Sequence, residues 1–335
     1  MERTACLIIA IISLLLTGAL GYIMIPWLRR LKYGQTINEI GPTWHKNKEG
    51  TPTIGGLMFV SGVIFSLIVG VFYLLNSSPL YLLSQFGKER VRFFACLGSA
   101  IGFGLIGFID DYLKVINTRN LGLTAKGKLI MQFFVSAAFL FVLFKFDAID
   151  TVVKLPFIPA FDMGIWFYPV CMIMIMGMVN AVNLTDGIDG LCSSVTFFVC
   201  VSFIIIANLT GYIAVSLFAC AIAGGCAGFL IWNFHPAKVF MGDTGSMFLG
   251  GAVVAMAFCV CKPFIILLAG IVYLAEALSD IIQIGYFKIT HGKRVFKMAP
   301  IHHHFEMCGW SEVKIVIIFS LVSVIGGALS IISAI

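Results

Sequence analysis

The chain has 335 residues, of which 60% are hydrophobic and 11% are charged. A soluble domain of this length has no use for so much apolar surface, so the composition excludes a soluble globular protein and indicates a polytopic membrane protein. The net charge of +6 is modest, and in a membrane protein it reflects orientation and anionic lipids or substrates rather than nucleic acid.

Apolar segments that are long enough to cross a bilayer recur along the whole chain, with no polar linker between them. The apolar run at the N-terminus is too long for a signal peptide, and the chain has no small-residue cleavage site ahead of Pro26. We therefore predict an all-α integral membrane protein with a single domain, residues 1–335, and about ten transmembrane helices. The predicted spans are 5–28, 54–75, 93–109, 129–146, 165–183, 191–209, 212–232, 247–261, 264–287 and 314–335. The ten cysteines lie mostly inside them without a C-x-x-C pair, so free thiols are expected.

Alternating spans divide the connections into two sets on opposite faces of the membrane. The first set consists of 29–53, 110–128, 184–190, 233–246 and 288–313. It carries 15 of the 22 lysines and arginines, counting Lys314 at its edge, so the positive-inside rule places it in the cytoplasm and both termini outside. All six histidines and five motif aspartates lie in or beside this set. The pattern predicts an active site in the cytoplasmic loops.

The first cytoplasmic loop contains the run H-K-N-K-E-G-T-P-T-I-G-G. Its Lys48 and Thr53 could meet phosphate oxygens, and its glycines permit a tight backbone. The run is not a P-loop, because no glycine–lysine–serine/threonine sequence opens a helix. Taken alone, it is more typical of a plain loop.

Asp110 and Asp111 end the third predicted span. Adjacent helix residues point about 100° apart, so we expect these two carboxylates to have different roles. Lys114 is close enough in sequence to pair with either of them. Carboxylates crowded at a membrane edge repel each other unless a cation or lysines neutralise them, which favours a magnesium site. An acidic pair held at a helix end by that lysine is the structural alternative.

The run N-L-T-D-G-I-D-G follows the fifth predicted span. Asn183, Asp186 and Asp189 are spaced at three-residue intervals in it, and the intervening glycines bring backbone N–H groups near bound anions. A capping turn is the alternative, since Asp and Asn favour such positions.

The run N-F-H-P-A-K-V-F-M-G-D-T-G-S holds Asn233, Phe240 and Asp243. Gly242 and Gly245 flank the acid and leave room for a metal–pyrophosphate group. Magnesium commonly uses only one or two protein carboxylates together with substrate phosphates, so not all five aspartates need be ligands. A glycine-rich turn with a capping aspartate is the alternative.

The ninth predicted span carries Glu276, Asp280 and Gln283 on one helical face. Gln283 lies nearest the cytoplasmic end and could enter the same cleft, whereas Glu276 lies deeper and is expected to be protonated or paired.

Three consecutive histidines, His302, His303 and His304, lie in the last cytoplasmic loop. They point in different directions and have no partner cysteine pair, so they make a poor zinc site. They fit better as donors to pyrophosphate or nucleobase groups, with an exposed polar loop as the alternative.

Together these motifs resemble the phospho-N-acetylmuramoyl-pentapeptide transferases, a branch of the polyprenyl-phosphate N-acetylhexosamine-1-phosphate transferases. The resemblance covers essentially the whole chain. The superfamily typically carries the motifs D-D, N-x-x-D-G-x-D-G and G-D-T-G-S. The first-loop run and the H-H-H-F-E run are typical of this branch in particular. Ile54 stands where the branch often has Met, which is a conservative departure.

The resemblance implies transfer of phospho-N-acetylmuramoyl-pentapeptide from its UDP carrier to undecaprenyl phosphate, giving UMP and lipid I, the first membrane-bound intermediate of peptidoglycan synthesis. It implies Mg²⁺ as cofactor with Asp243 as ligand, and Asp110 as the group that deprotonates or orients the lipid phosphate. The implied catalytic residues are Asp110, Asp111, Asp186 and Asp243. The implied substrate-binding residues are Lys48, Thr53, Lys114, Lys128, Asn183, Asp189, Asn233, Phe240, Gln283, His302, His303 and His304.

The implied location is the bacterial plasma membrane, among membrane lipid, and the family is compatible with a homodimer. One alternative is a sister transferase that uses UDP-N-acetylglucosamine, which would keep the aspartates but need not keep the histidines. A second is an ion-coupled transporter with Glu276 and Asp280 as the ion path. A transporter should place its acids near the bilayer midplane rather than at span ends on one side. Whether transfer is direct or passes through a phospho-enzyme stays open.

Overall fold

The structure, a computed structural model, describes residues 2–30, 48, 50–77, 86–116, 122–155 and 158–335 of the chain. This part is built almost wholly from helices, as the apolar runs predict. The helices are α1 (Glu2–Arg30), α2 (Gly56–Ser77), α3 (Phe86–Ile116), α4 (Ala125–Lys145), α5 (Phe167–Leu184), α6 (Leu191–Thr210), α7 (Ile213–Asn233), α8 (Gly242–Cys259), α9 (Ile266–Ala269), α10 (Ile271–Ile289), α11 (Ile301–Glu306) and α12 (Glu312–Ala334).

Nine of the described helices, α1 to α8 and α12, are long and apolar enough to cross a membrane. The remaining predicted span, 264–287, is not one straight helix. The segment Pro263–Ala269 meets α10 at an angle of 82°. Gly270 forms the break, and its N–H closes the short helix on the carbonyl oxygen of Ile266 at 2.7 Å. The expectation of about ten spans is therefore confirmed with one of them bent.

Helix α8 lies at the centre of the bundle, since every residue from Thr244 to Cys259 is buried. It packs along α3, and a Cβ atom at Gly107 of α3 would collide with the carbonyl oxygen of Asp243. This close approach brings the acidic end of α3 against the first turn of α8. The third predicted span is extended at both ends, so Asp110 and Asp111 lie within a helix that continues to Ile116.

A small antiparallel hairpin, β1 (Val152–Leu155) and β2 (Ile158–Asp162), lies between α4 and α5. The sequence analysis does not predict it. Strand β1 contacts the turn Pro263–Ile265, which follows the C-terminal end of α8, so the hairpin lies at the opposite end of the bundle from Asp243. All ten cysteines are free thiols, as expected.

Candidate active site

Asp243, in the first turn of α8, is held by side chains from three other helices. Its Oδ2 accepts from Lys128 Nζ of α4 at 2.7 Å and from Lys114 Nζ of α3 at 3.3 Å. Its Oδ1 accepts from Asn183 Nδ2 of α5 at 3.0 Å. Two predicted phosphate-binding lysines and one predicted nucleotide-sugar residue therefore meet at the predicted metal ligand.

Asp110 and Asp111 have different partners, as their 100° separation on a helix predicts. Asp111 Oδ2 accepts from the backbone N–H and the hydroxyl of Thr244 at 2.8 and 2.7 Å, and its Oδ1 accepts from Asp243 N at 3.2 Å. Asp111 thus caps the N-terminus of α8 from a neighbouring helix, because the α8 N-cap residue makes no side-chain cap bond. Asp110 instead pairs with Lys114 Nζ at 2.6 Å and accepts from Leu123 N at 2.7 Å.

Asp110, Asp111 and Asp243 form what we call the carboxylate cluster. Each offers one oxygen that lies within 4.8 Å of the others. The donor set consists of oxygen atoms only, which is the chemistry that Mg²⁺ prefers. Lys114 and Lys128 neutralise part of the negative charge. The cluster therefore fits a bound magnesium ion. Asp243 contacts both lysines, and both oxygens of Asp111 already accept from α8 donors.

Asp186 lies beside this cluster, in the connection between α5 and α6. Its side chain is half-buried and makes no hydrogen bond or ion pair with any residue that the structure describes. Burial raises its pKa well above the ordinary value, and the negative charges of Asp243, Asp111 and Asp189 add to the effect. An unpartnered carboxylate facing three others is a group that a cation or a proton would stabilise.

We expect Asp186→Asn to stabilise the protein at alkaline pH. A carboxyl group whose pKa is raised in the folded state costs stability once it is ionised, so the parent loses stability as pH rises through that pKa. The neutral amide avoids this cost. In detergent with EDTA, the variant should unfold about 2–4 °C higher than the parent at pH 8, the shift that roughly 1 kcal/mol produces. The difference should vanish near pH 4. Unfolding at a lower temperature than the parent at pH 8 would contradict this.

A second charged group connects the first loop, the α5–α6 connection, the α7–α8 connection and the start of α12. We call it the Lys48 network, and its side chains are those of Lys48, Asp189, His235 and Glu312. Lys48 Nζ lies 2.7 Å from Asp189 Oδ1 and 2.8 Å from Glu312 Oε2. Asp189 Oδ2 lies 3.0 Å from His235 Nδ1 and accepts from Ala237 N at 3.0 Å. Both oxygens of Asp189, a predicted substrate ligand, are therefore engaged within the protein. Lys48 offsets one of the two negative charges that Asp189 and Glu312 carry.

Glu312 was missed by the sequence analysis. Its Oε2 also accepts from Asp189 N at 3.0 Å, so it contributes two bonds to the Lys48 network. In the sequence it is an acidic residue in the first turn of α12 after the capping residue Ser311, which is a common structural pattern. No local signal distinguishes it from an ordinary helix start.

The described end of the first loop, residues 50–55, is joined to the segment before α8 by backbone hydrogen bonds. Phe240 N donates to Pro52 O at 2.9 Å, and Gly55 N donates to Phe240 O at 2.8 Å. Gly242 has φ +70°, and a Cβ atom there would lie 3.0 Å from Thr53 Oγ1. Thr53 and half-buried Phe240, two of the substrate-binding residues that the resemblance implies, are thus placed next to the carboxylate cluster.

Asn233 and Gln283, both predicted to bind substrate, hold backbone groups instead. Asn233 is buried, accepts from Gly190 N at 3.2 Å and donates to Val239 O at 2.9 Å. Gln283 donates to Phe296 O at 2.9 Å, and its own oxygen accepts from the N–H of the same residue at 3.0 Å. These residues shape the loops, and direct substrate contact by them stays a prediction.

His302 is fully buried and pairs with Glu276 of α10, its Nδ1 lying 2.9 Å from Glu276 Oε2. The expectation that Glu276 is paired inside the bundle is confirmed. A Cβ atom at Gly187 would collide with His302 Nε2, so the ring packs directly on the loop that carries Asp186. His302 therefore supports that loop, and this buried position does not favour direct substrate contact.

His303 and His304 are half-buried and lie on α11. His303 Nδ1 is 2.6 Å from Glu306 Oε2, and His304 Nδ1 accepts from Lys297 N at 3.1 Å. These two rings are the members of the histidine run that keep access to solvent, so they remain candidates for substrate contact.

Comparisons with known proteins extend over nearly the whole chain. The model of Glycosyl transferase family 4 matches residues 93–261. The phospho-N-acetylmuramoyl-pentapeptide-transferase of Halalkalibacterium halodurans is 45% identical over 333 residues, 99% of this chain and 98% of the relative. The proteins of the same name from Clostridium perfringens and Bacillus licheniformis are 44% and 43% identical, over 94% and 92% of this chain and 92% and 91% of their own lengths.

Proposed function

The chain belongs to the phospho-N-acetylmuramoyl-pentapeptide-transferase family, and from this premise we propose that its active site is the carboxylate cluster together with Asp186, on the cytoplasmic face of the membrane. The protein is a multi-pass membrane enzyme that transfers phospho-N-acetylmuramoyl-pentapeptide from UDP-MurNAc-pentapeptide to a polyprenyl phosphate, releasing UMP and forming lipid I. We further propose undecaprenyl phosphate as the acceptor. The sister UDP-N-acetylglucosamine transferase and the transporter are less favoured, since these relatives carry the muramoyl-pentapeptide name.

The observation that carries the site assignment is the meeting of Asp243, Asp110 and two lysines from three helices. Phosphoryl transfer requires mainly positioning and charge neutralisation. Lys114 contacts both Asp110 and Asp243, and Lys128 contacts Asp243, so two ammonium groups lie where phosphate oxygens would enter. The side chain of Asp110 is 5% exposed, and its Oδ2 would orient an acceptor phosphate once Lys114 turns from that oxygen to the phosphate.

Asp243 and Asp110 are the residues that would hold Mg²⁺, with Asp186 close enough to add charge. When bound, the ion would neutralise pyrophosphate charge and stabilise departing UMP. Asp111 is not needed as a ligand in this assignment, because its oxygens fix the N-terminus of α8 and hence the position of Asp243. In this assignment Asp243 and Asp110 hold the ion, and Asp111 holds the N-terminus of α8.

The nucleotide sugar is proposed to approach from the side of Thr53, Phe240 and the exposed part of the Lys48 network. Residues 50–55 are held against the segment before α8 by backbone hydrogen bonds, which reduces the ordering cost of binding on this side. Phe240 supplies an aromatic face on which uracil can stack. His303 and His304, which are half-buried on α11, are proposed to contact the nucleotide sugar. A homodimer stays a proposal by family likeness.

The function is tested by an assay of purified protein with undecaprenyl phosphate and Mg²⁺. We expect UMP release with UDP-MurNAc-pentapeptide and none with UDP-N-acetylglucosamine. The opposite preference would replace this function with that of the sister transferase, and no UMP from either donor would refute the transferase assignment. Addition of EDTA should stop release, and restored Mg²⁺ should recover it.

We expect His303→Ala to raise KM for the nucleotide sugar by roughly tenfold, the loss of about 1.4 kcal/mol of binding. The variant also removes the imidazole partner of the buried Glu306 carboxylate, so the thermal unfolding temperature should fall, and KM is measured at a temperature at which both proteins are fully folded. The measurement is steady-state UMP release across donor concentrations, with the exposed Lys293→Ala as the matched loop control. An unchanged KM would mean that His303 does not contact the nucleotide sugar.

A further inference from the structure

Two neutral amides connect α4 and α5 below the carboxylate cluster. Gln132 Nε2 donates to Asn180 Oδ1 at 3.1 Å, and Asn180 Nδ2 donates back to Gln132 Oε1 at 2.8 Å. Gln132 is fully buried. Both residues lie inside predicted membrane-spanning helices, where polar side chains rarely occur without a partner. Neither residue belongs to any of the sequence motifs.

The position of this amide pair relative to Asp243 is specific. Gln132 is one helical turn after Lys128 on α4, and Asn180 is one turn before Asn183 on α5, so each amide lies on the same helix face as a residue of the site. Lys128 holds Oδ2 of Asp243 and Asn183 holds Oδ1. The amide pair therefore joins the two helices, α4 and α5, whose side chains bind the two oxygens of Asp243.

We propose that Gln132 and Asn180 are positioning residues that set the spacing and register of α4 and α5, so that Lys128 and Asn183 reach the two oxygens of Asp243 at once. The inference rests on the proposed function of Asp243. A reciprocal amide pair uses one donor and one acceptor from each side chain, so it fixes both distance and rotation, which a single hydrogen bond or an apolar contact does not. Asn180 also donates to Met176 O at 2.8 Å, which anchors its side chain to α5.

The test compares single and exchanged variants in the UMP-release assay. Gln132→Leu and Asn180→Leu should each lower kcat by at least about tenfold, because a misplacement of 1 Å can cost roughly 10²-fold. Their KM for the nucleotide sugar should stay within about twofold, and half-maximal activation should need more Mg²⁺. The exchanged double variant, Gln132→Asn with Asn180→Gln, keeps all polar atoms and the summed length, and it should recover at least about half of the parental kcat.

The matched control is Asn208→Leu, which removes another interhelical amide bond, to Ser216 Oγ at 3.1 Å between α6 and α7. It should leave kcat and the Mg²⁺ requirement unchanged. Leucine variants at parental kcat, or a folded exchanged variant that is no faster than the leucine variants, would overturn the proposal. If the leucine variants do not fold, the kcat of the folded exchanged variant is the test. A value below about half of the parental kcat then overturns the proposal. Failure of the parent to release UMP would instead overturn the proposed function.

Discussion

Replacement of Asp243 by asparagine should reduce UMP release by at least about 10³-fold. The amide keeps the shape of the side chain and an oxygen that can still accept from Asn183. It removes the negative charge that the two lysines and the proposed magnesium ion share. The change therefore removes charge from the reacting centre with little change in packing.

The loss must be separated from unfolding. Asp243→Asn should remain a monodisperse membrane protein with a cooperative thermal transition. The matched control is Asp162→Asn, which removes an exposed carboxylate from the hairpin at the other end of the bundle and should keep the parental rate. Retention of activity within about twofold in Asp243→Asn would refute the metal assignment.

Asp110→Asn should lower kcat by about 10²–10⁴-fold, the range typical of a lost acid–base or orienting group. The amide can still accept from Leu123 N, so the connection after α3 should keep its place. Its bond with Lys114 is weakened, and the acceptor phosphate loses the carboxylate that orients it. The rate is measured as UMP release at saturating concentrations of both substrates.

The neighbouring Asp111→Ala variant is the internal comparison for this prediction. Asp111 caps α8 through Thr244, and replacement of such a capping side chain by alanine costs about 1 kcal/mol. We therefore expect Asp111→Ala to lower the unfolding temperature and Asp110→Asn to leave it nearly unchanged. Equal losses of activity with equal losses of stability would contradict the separate roles of the two carboxylates.

The sequence predicts the helices and the meeting of the acidic motifs well, because apolar length and span parity are strong physical signals. The membrane helices agree with the predicted segments, and Asp110, Asp111 and Asp243 do lie together. The bend at Gly270 escapes such reasoning, since an apolar run of the right length reads as one span whether it is straight or broken.

Individual roles within the site were harder to predict than its location. Asp189, Asn233 and His302 carry the residue types that bind phosphates and nucleotides, yet their polar atoms hold loops and helix ends. A buried backbone N–H or C=O group needs a hydrogen-bond partner, and the side chains that provide one are of the same types that bind ligands. Conversely, Glu312 and Gln132 look like ordinary helix residues in sequence, because their partners are distant in the chain.

The central claim is that the acidic cleft opens to the cytoplasm, where a soluble nucleotide sugar meets a lipid phosphate. Cys308 reports on this directly: it is the exposed member of the ten cysteines and follows the histidine run, whose His302 packs on the loop that carries Asp186. A membrane-impermeant maleimide should label Cys308 in inside-out vesicles but not in intact cells, with Cys308→Ser as the unlabelled control. Labelling of Cys308 from outside intact cells would contradict the account.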